Sequence, residues 1–278
     1  MRAARPRQWT KNLLIFAGLI FSHRLSDGNA LQMALLTFFA FCFISSAGYL
    51  LNDLIDKEGD RKHPEKRNRP IASGAISPMA AVTFAVVLAL CGVGFALAAS
   101  RFAVYAIGIY ALNQTLYVTI ARKVAILDVF VISFGFLIRA VAGAWVLAVY
   151  ISPWLLLCTL LLALFLGFAK RRHELALEIG TRDSLGGYSM QLLDQLIGIS
   201  AGSAVIAYSV YAIQSETAKN HPLLGLTIPL PIFGVFRYLQ LVYSQDRGGS
   251  PDAELIRDPW LLGTVASFMV LSVYVMTR

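Results

Sequence analysis

The sequence predicts an all-α membrane protein: a single domain over residues 1–278, built as a bundle of nine transmembrane helices. Three observations predict it. Hydrophobic residues make up 57% of the chain and charged ones 14%, a balance that suits a lipid-embedded chain and not a soluble domain of this length. The apolar residues gather into runs of about 17 to 25, the length that crosses a hydrocarbon core. These lie at approximately 12–27, 32–54, 78–99, 102–120, 125–149, 152–169, 194–214, 221–242 and 259–276. Finally, Lys and Arg fall mostly between alternate runs, which fixes an orientation.

With the N-terminus in the cytoplasm, that side receives Arg2, Arg5, Arg7 and Lys11, then the cations from Lys57 to Arg69, then Arg122 and Lys123. It also receives the basic group from Lys170 to Arg182, and Arg247 and Arg257. Arg24, Arg101, Lys219 and Arg278 fall opposite, while Arg139 and Arg237 lie inside runs. The net charge of +8 is therefore concentrated on one face, where it meets anionic headgroups or an anionic soluble substrate. Nucleic acid is excluded as a partner, because no separate basic domain exists to carry it. Cys42, Cys91 and Cys158 all sit inside apolar runs at no metal-ligand spacing and read as small core residues. No cleavable signal peptide is expected, since the first apolar run lacks a small-residue cleavage pattern.

The first run follows RPRQWTKN, where Arg5, Arg7 and Trp9 are ordinary interfacial anchors. Lys11, one or two turns above the membrane, can reach a phosphate held nearby. The second run brings Asn52, Asp53, Asp56 and Asp60 to its cytoplasmic end. On a helix these four fall in one arc of roughly 100°, with Tyr49 inside it. Carboxylates crowded on one face repel one another and are costly beside a membrane core unless a cation joins them. Hard oxygen donors at this density suit Mg²⁺ or Mn²⁺. Because Mg²⁺ keeps several waters and is completed by substrate phosphates, the cluster reads as a seat for a diphosphate rather than a closed cage. A solvated, charged helix end is the competing reading for any single Asp.

Next come Lys57, Arg61, Lys62, Lys66, Arg67 and Arg69, before Pro70, Gly74 and Pro78 turn the chain into the third run. Acids followed by cations suit a metal-bound polyphosphate, with some oxygens on the ion and others on Arg and Lys. The third and fourth runs are rich in Ala, Gly and Val and pack closely. The fifth carries Asp128 and Arg139, about three turns apart and so on one face. An intramembrane Arg faces a bundle interior or a wet cavity, where Arg139 either binds substrate or braces a neighbour. The small residues Ala140, Ala142, Gly143 and Ala144 favour tight helix contact.

The sixth run ends in AKRRHELALEIG, where Lys170 and Arg171 are candidates for binding phosphate and Lys170 shares a face with Glu174. Arg182 and Tyr188 follow as further candidates. His23, His63, His173 and His221 show no ligand spacing and receive no role. Pro229 and Pro231 should kink the eighth run or delay its start, and the mixed-charge loop 243–258 is flexible by composition. No internal repeat is apparent, which counts against an inverted-repeat transporter.

The pattern NDLIDKEGD, Asn52 to Asp60, among nine hydrophobic runs resembles the first aspartate motif of the UbiA superfamily of intramembrane prenyltransferases. Together, RPRQWTKNLLIF (Arg5 to Phe16), YLLNDLIDKEGDRKHPEKRNRPIASG (Tyr49 to Gly74), LIRAVAG (Leu137 to Gly143) and KRRHEL (Lys170 to Leu175) are similar to the decaprenyl-phosphate phosphoribosyltransferases. The likeness extends to about Gln195. It implies a bundle around a central cavity open to the cytoplasm and laterally to lipid, in the plasma membrane, and a homo-oligomer such as a trimer. The implied reaction moves 5-phosphoribosyl from phosphoribosyl diphosphate to a polyprenyl phosphate, with release of diphosphate, in support of cell-wall synthesis. On that reading Asp53, Asp56 and Asp60 are catalytic, and Asn52, Asp56 and Asp60 hold the metal. Lys11, Tyr49, Arg61, Arg67, Arg69, Arg139, Lys170, Arg171 and Tyr188 bind substrate.

One departure from the wider superfamily bears on the choice. Aromatic prenyltransferases of this fold carry a second acidic motif near the end of the sixth run, whereas this chain has Lys170, Arg171, Arg172, His173 and Glu174 there. Bases in place of acids suit a lipid monophosphate acceptor and a donor that brings its own diphosphate. The alternatives are a prenyltransferase using polyprenyl diphosphate, and a transporter or lipid-binding scaffold whose acids bind cations without chemistry.

Overall fold

The computed structural model describes residues 2–21, 24, 27–62, 66–177, 183–244, 248–249 and 251–277. Among the described residues every regular element is helical. Eight helices are long and apolar enough to cross a membrane, which makes the chain a multi-pass membrane protein. Their α-helical parts are α1 (Gly28–Ile55), α2 (Pro78–Ala99), α3 (Arg101–Thr119), α4 (Leu127–Val146), α5 (Pro153–Ala176), α6 (Met190–Gln214), α7 (Pro229–Ser244) and α8 (Pro259–Thr277), the third and seventh spans running over Arg101–Lys123 and Pro222–Ser244 with their adjoining 3₁₀ turns. Their starts follow local chemistry. Asp27, Ser77, Ser100, Ser189 and Asp258 each accept a hydrogen bond from a backbone N–H in the first turn of α1, α2, α3, α6 and α8, respectively, satisfying donors that a helix leaves open.

The first expected span, 12–27, folds differently. Pro6–Phe16 is a 3₁₀ helix, continued by the short α-helix Ala17–Phe21, so eight spanning helices rather than nine stand among the described residues. Side chains hold this segment. Trp9 Nε1 donates to Ser46 Oγ at 3.0 Å, and the buried Asn12 lies between Arg139 and Cys42.

By backbone proximity the chain divides into two compact units, Met1–Ile120 with Ile138–Tyr150, and Ala121–Leu137 with Ile151–Arg278. In the first, α1 packs along α2. Ile15, Phe41, Tyr110 and Ala142 form one core, and Leu50, Ile71, Ala81 and Ala85 belong to another. The small-residue stretch of α4 does what its composition predicts. A Cβ on Gly143 would stand 2.0 Å from the Ile15 carbonyl oxygen, and one on Gly18 would stand 2.9 Å from the backbone of Ala144. Gly143→Ala should therefore destabilise the protein by about 3 kcal/mol, because backbone cannot yield as a rotamer does. Gly94, where an added Cβ would meet nothing within 4 Å, supplies the control: Gly94→Ala should melt with the parent in detergent.

In the second unit α5 packs along α6 around Phe165, Leu193, Ile197 and Leu241. The paired prolines delay α7 rather than kink it: the 3₁₀ turn Pro222–Thr227 precedes an α-helix that begins at Pro229. Arg237, inside α7, extends Nη2 to Asp258 Oδ2 at 2.6 Å, which gives this charge a partner at the start of α8. Loop 243–258, expected to be flexible, contains the helix Pro251–Arg257. Gly249 lies against the ring of His173 so closely that a Cβ would meet it at 2.5 Å.

Candidate functional site

The acids of the second run sit where α1 ends. Asp56 is its C-cap (φ −85, ψ 2), and the chain restarts as the short helix Lys57–Lys62. The i→i−4 ladder continues through the break, with Asp56 N–H on the Asn52 carbonyl at 2.9 Å and Asp60 N–H on the Asp56 carbonyl at 2.8 Å. Asn52, Asp56 and Asp60 thus stay in register along one side, as the 3.6-residue period requires. Asp53 and Asp60 are 3% and 4% exposed, and two buried carboxylates need cations. Arg69 supplies one: its Nη1 lies 3.1 Å from Asp53 Oδ1 and 2.7 Å from Asp60 Oδ2. Arg5 supplies another, paired with Asp53 Oδ1 and lying over the Tyr49 ring with its guanidinium carbon 5.2 Å from the centroid.

Arg5 is the site residue that sequence reasoning missed, having placed it as a membrane anchor. Its backbone is left-handed (φ 49, ψ 57), which costs a non-glycine residue roughly 1–2 kcal/mol, and Pro6 behind it disfavours that region further. Strain of this kind persists where the surroundings over-determine it. Here Ala3 and Ala4 are buried in the core, and Ala4 O accepts from Ser46 Oγ at 2.8 Å. The only trace in the sequence is the Arg-Pro pair itself.

The other expected residues of the first unit spread around this cluster. Asn52, Asp56 and Lys11 are half-buried and Arg67 is exposed. Arg61 bonds the Ala72 carbonyl at 3.1 Å and Glu58 at 3.1 Å, pinning the loop that carries Arg69. Arg139, 4% exposed, donates from Nε to Asn12 Oδ1 at 2.7 Å and from Nη2 to Tyr110 Oη at 2.8 Å. Of its two sequence readings the geometry displays the brace, tying α4 to α3 and to the 3₁₀ helix.

In the second unit, Arg171 (1% exposed) donates from Nε to Asp128 Oδ2 at 2.7 Å and from Nη1 to Glu174 Oε2 at 2.6 Å. Asp128 is fully buried and also accepts from Ser184 Oγ at 3.1 Å and Tyr188 Oη at 2.7 Å. The Tyr188 oxygen in turn accepts from the backbone N–H of Ile126 at 2.6 Å, a residue at φ 70. Burial first, then the hydrogen bond to Asp128 and its charge, push the Tyr188 phenol well above its ordinary range. It therefore stays a neutral donor throughout the working pH range. Arg171 and Tyr188 are thus engaged inside the protein, and Lys170 beside them is half-buried. Arg182, His23 and His63 lie outside the described residues.

The donor set bears on the metal. Among the described residues no three His, Cys, Asp or Glu side chains gather to cage an ion. The acids at the end of α1 instead offer oxygen alone, which fits Mg²⁺ held jointly with a substrate phosphate.

Fold and site together define a helical intramembrane protein with an acid–arginine cluster at one helix end. The chain belongs to the UbiA prenyltransferase family, whose model matches residues 13–253. It is 30% identical to a decaprenyl-phosphate phosphoribosyltransferase of Corynebacterium glutamicum, over 99% of this chain and 87% of that one. It is 34% identical to one of Mycolicibacterium smegmatis, over 79% and 72%. Among solved structures it is similar in fold to a UbiA homolog from Archaeoglobus fulgidus bound to DMAPP and Mg²⁺, with TM-score 0.78, 18% identity and coverage of 99% and 98%.

Proposed function

We propose that the chain transfers 5-phosphoribosyl from phosphoribosyl diphosphate to a polyprenyl phosphate of decaprenyl type, from the cytoplasmic face of the plasma membrane. The observation that carries this reading is the likeness to relatives of that name over most of both chains. The charge pattern along the chain supports it: the end of α1 carries acids, whereas the end of α5 carries Lys170, Arg171, Arg172 and His173, with Arg171 turned inward. A donor carrying a diphosphate and an acceptor carrying a monophosphate need one acidic cluster and many cations, whereas two acidic clusters would suit a prenyl diphosphate.

Asn52, Asp56 and Asp60, assisted by Asp53, would hold Mg²⁺; Mn²⁺ offers the same hard-acid chemistry. When bound, the ion supplies charge stabilisation to the leaving diphosphate. Lys11, Arg61, Arg67 and Arg69 hold phosphate oxygens of the donor, and Lys170 those of the lipid acceptor. Arg139, Arg171 and Tyr188 act as positioning residues through the networks described above. The bond from ribose C1 to the diphosphate oxygen breaks with its electron pair leaving on diphosphate, and a lipid phosphate oxygen bonds to C1. That oxygen is already anionic near neutral pH, so no strong general base is needed. Orientation and fixed charge carry the rate.

Supplying the purified protein with labelled phosphoribosyl diphosphate, polyprenyl phosphate and Mg²⁺ is expected to yield a lipid-linked phosphoribose and free diphosphate. Transfer of a prenyl group from polyprenyl diphosphate to an aromatic acceptor, with no product from the first pair, would replace this reading with the prenyltransferase one.

A further inference from the structure

Arg5 has no part in the mechanism above, and its placement is not that of a membrane anchor. Its backbone is held left-handed from both sides, by the Ala4 carbonyl accepting from Ser46 and by the Gln8 N–H bonded to the Arg5 carbonyl at 2.8 Å. The guanidinium passes over Tyr49 and ends on Asp53 Oδ1, the same oxygen that Arg69 reaches. Two guanidiniums meeting at one oxygen repel each other, a repulsion that the carboxylates of Asp53 and Asp60 offset. The carboxylates form the floor, with the Asp53 side chain 4% exposed, while the side chains of Arg5 and Arg69 are 31% and 29% exposed at the rim.

The formal charges of Arg5, Arg69, Asp53 and Asp60 cancel. A divalent cation arriving alone would add its charge beside two guanidiniums, and a diphosphate arriving alone would add its charge beside two buried acids. Arriving together, they let the carboxylates turn to the cation and the arginine forks turn to phosphate oxygens, for which their planar donors are suited. We propose that Arg5 is an exchangeable counter-ion of the donor site. It neutralises Asp53 in the ligand-free chain and passes to the donor's diphosphate when a divalent cation takes the carboxylates, so that each ligand alone binds weakly. This rests on the proposed function only in taking the ligand to be a metal-bound diphosphate.

The full chain in lipid nanodiscs tests it without turnover. Mn²⁺ binding in the absence of diphosphate is read from the free-ion electron paramagnetic resonance signal, and binding of inorganic diphosphate under chelator is read by calorimetry. Arg5→Gln is expected to tighten Mn²⁺ binding and weaken diphosphate binding, each by about tenfold, the scale of one charge-assisted contact. A residue with only a structural role would weaken both. Phenylglyoxal labelling of the wild-type chain, read by peptide mass spectrometry, decides independently of any variant's folding. Saturating Mg²⁺ alone should raise modification of Arg5, and Mg²⁺ with diphosphate should suppress it. Mn²⁺ binding unchanged or weakened in Arg5→Gln, or Arg5 labelling indifferent to both ligands, would overturn the exchange. These shifts without phosphoribosyl transfer would remove the donor assignment and leave the exchange, while transfer without the shifts would remove the exchange alone.

Discussion

Asp56→Ala is expected to lose about 10³-fold in turnover while the protein stays folded. Asp56 is half-buried, and its backbone N–H bonds the Asn52 and Leu54 carbonyls at the end of α1. Alanine keeps that backbone, so the melting temperature in detergent should fall by no more than about 2 °C, as for a substitution outside the core. Asp53→Ala should behave differently. It also removes the oxygen on which Arg5 and Arg69 converge, so stability falls together with turnover. Measuring kcat/KM and melting temperature for both variants separates a group that serves the ligand from one that also serves the fold. Full turnover in Asp56→Ala would remove its role in holding the metal.

Asp128→Ala should cost about 3–5 kcal/mol of stability, the penalty for leaving a buried cation without its main partner. Arg171, Ser184 and Tyr188 all direct donors at this one carboxylate, and Glu174 pairs with Arg171 from the other side. The double variant Asp128→Leu with Arg171→Met should recover part of the loss, since it removes the two fully buried charges and leaves Glu174, whose side chain is 16% exposed, without Arg171. Unfolding in a denaturing detergent titration reads the series. A double variant no more stable than Asp128→Ala would show that the pair contributes more than mutual neutralisation. Transfer activity, normalised to folded protein, should fall in the double variant, because the brace fixes the helix end that carries Lys170.

Much of this was legible along the chain. The apolar runs gave α1 to α8 to within about four residues except at the end of α5, which runs on to Ala176, and at the start of α7, which waits until Pro229, because a segment that must satisfy its own backbone in lipid has little choice but to be a helix. The small residues of α4 marked the backbone approach at Gly143, and Pro229 marked the delayed start of α7. The grouping of Asn52, Asp56 and Asp60 also followed from local period, since i→i−4 bonding links them whatever surrounds them. Hydropathy places the first run at 12–27, and the described residues there are the 3₁₀ helix Pro6–Phe16 and the short helix Ala17–Phe21, with Trp9 bonded to Ser46 on α1 and Asn12 to Arg139 on α4, contacts that hydropathy does not register. The helical period puts Asp128 and Arg139 on one face of α4, yet they belong to different compact units, a division that composition does not carry.

The sequence by itself determined the class of molecule, the helices, and the acids and bases at two helix ends, because lipid solvation and helical periodicity act on neighbours in the chain. Only the tertiary structure decided which charges neutralise which. Asp53 could have met any of several nearby cations, and its choice of Arg5 and Arg69 depends on a strained turn before Pro6 and on a loop closed by Arg61. Ion pairing joins groups distant in sequence, over a few ångströms that packing alone sets.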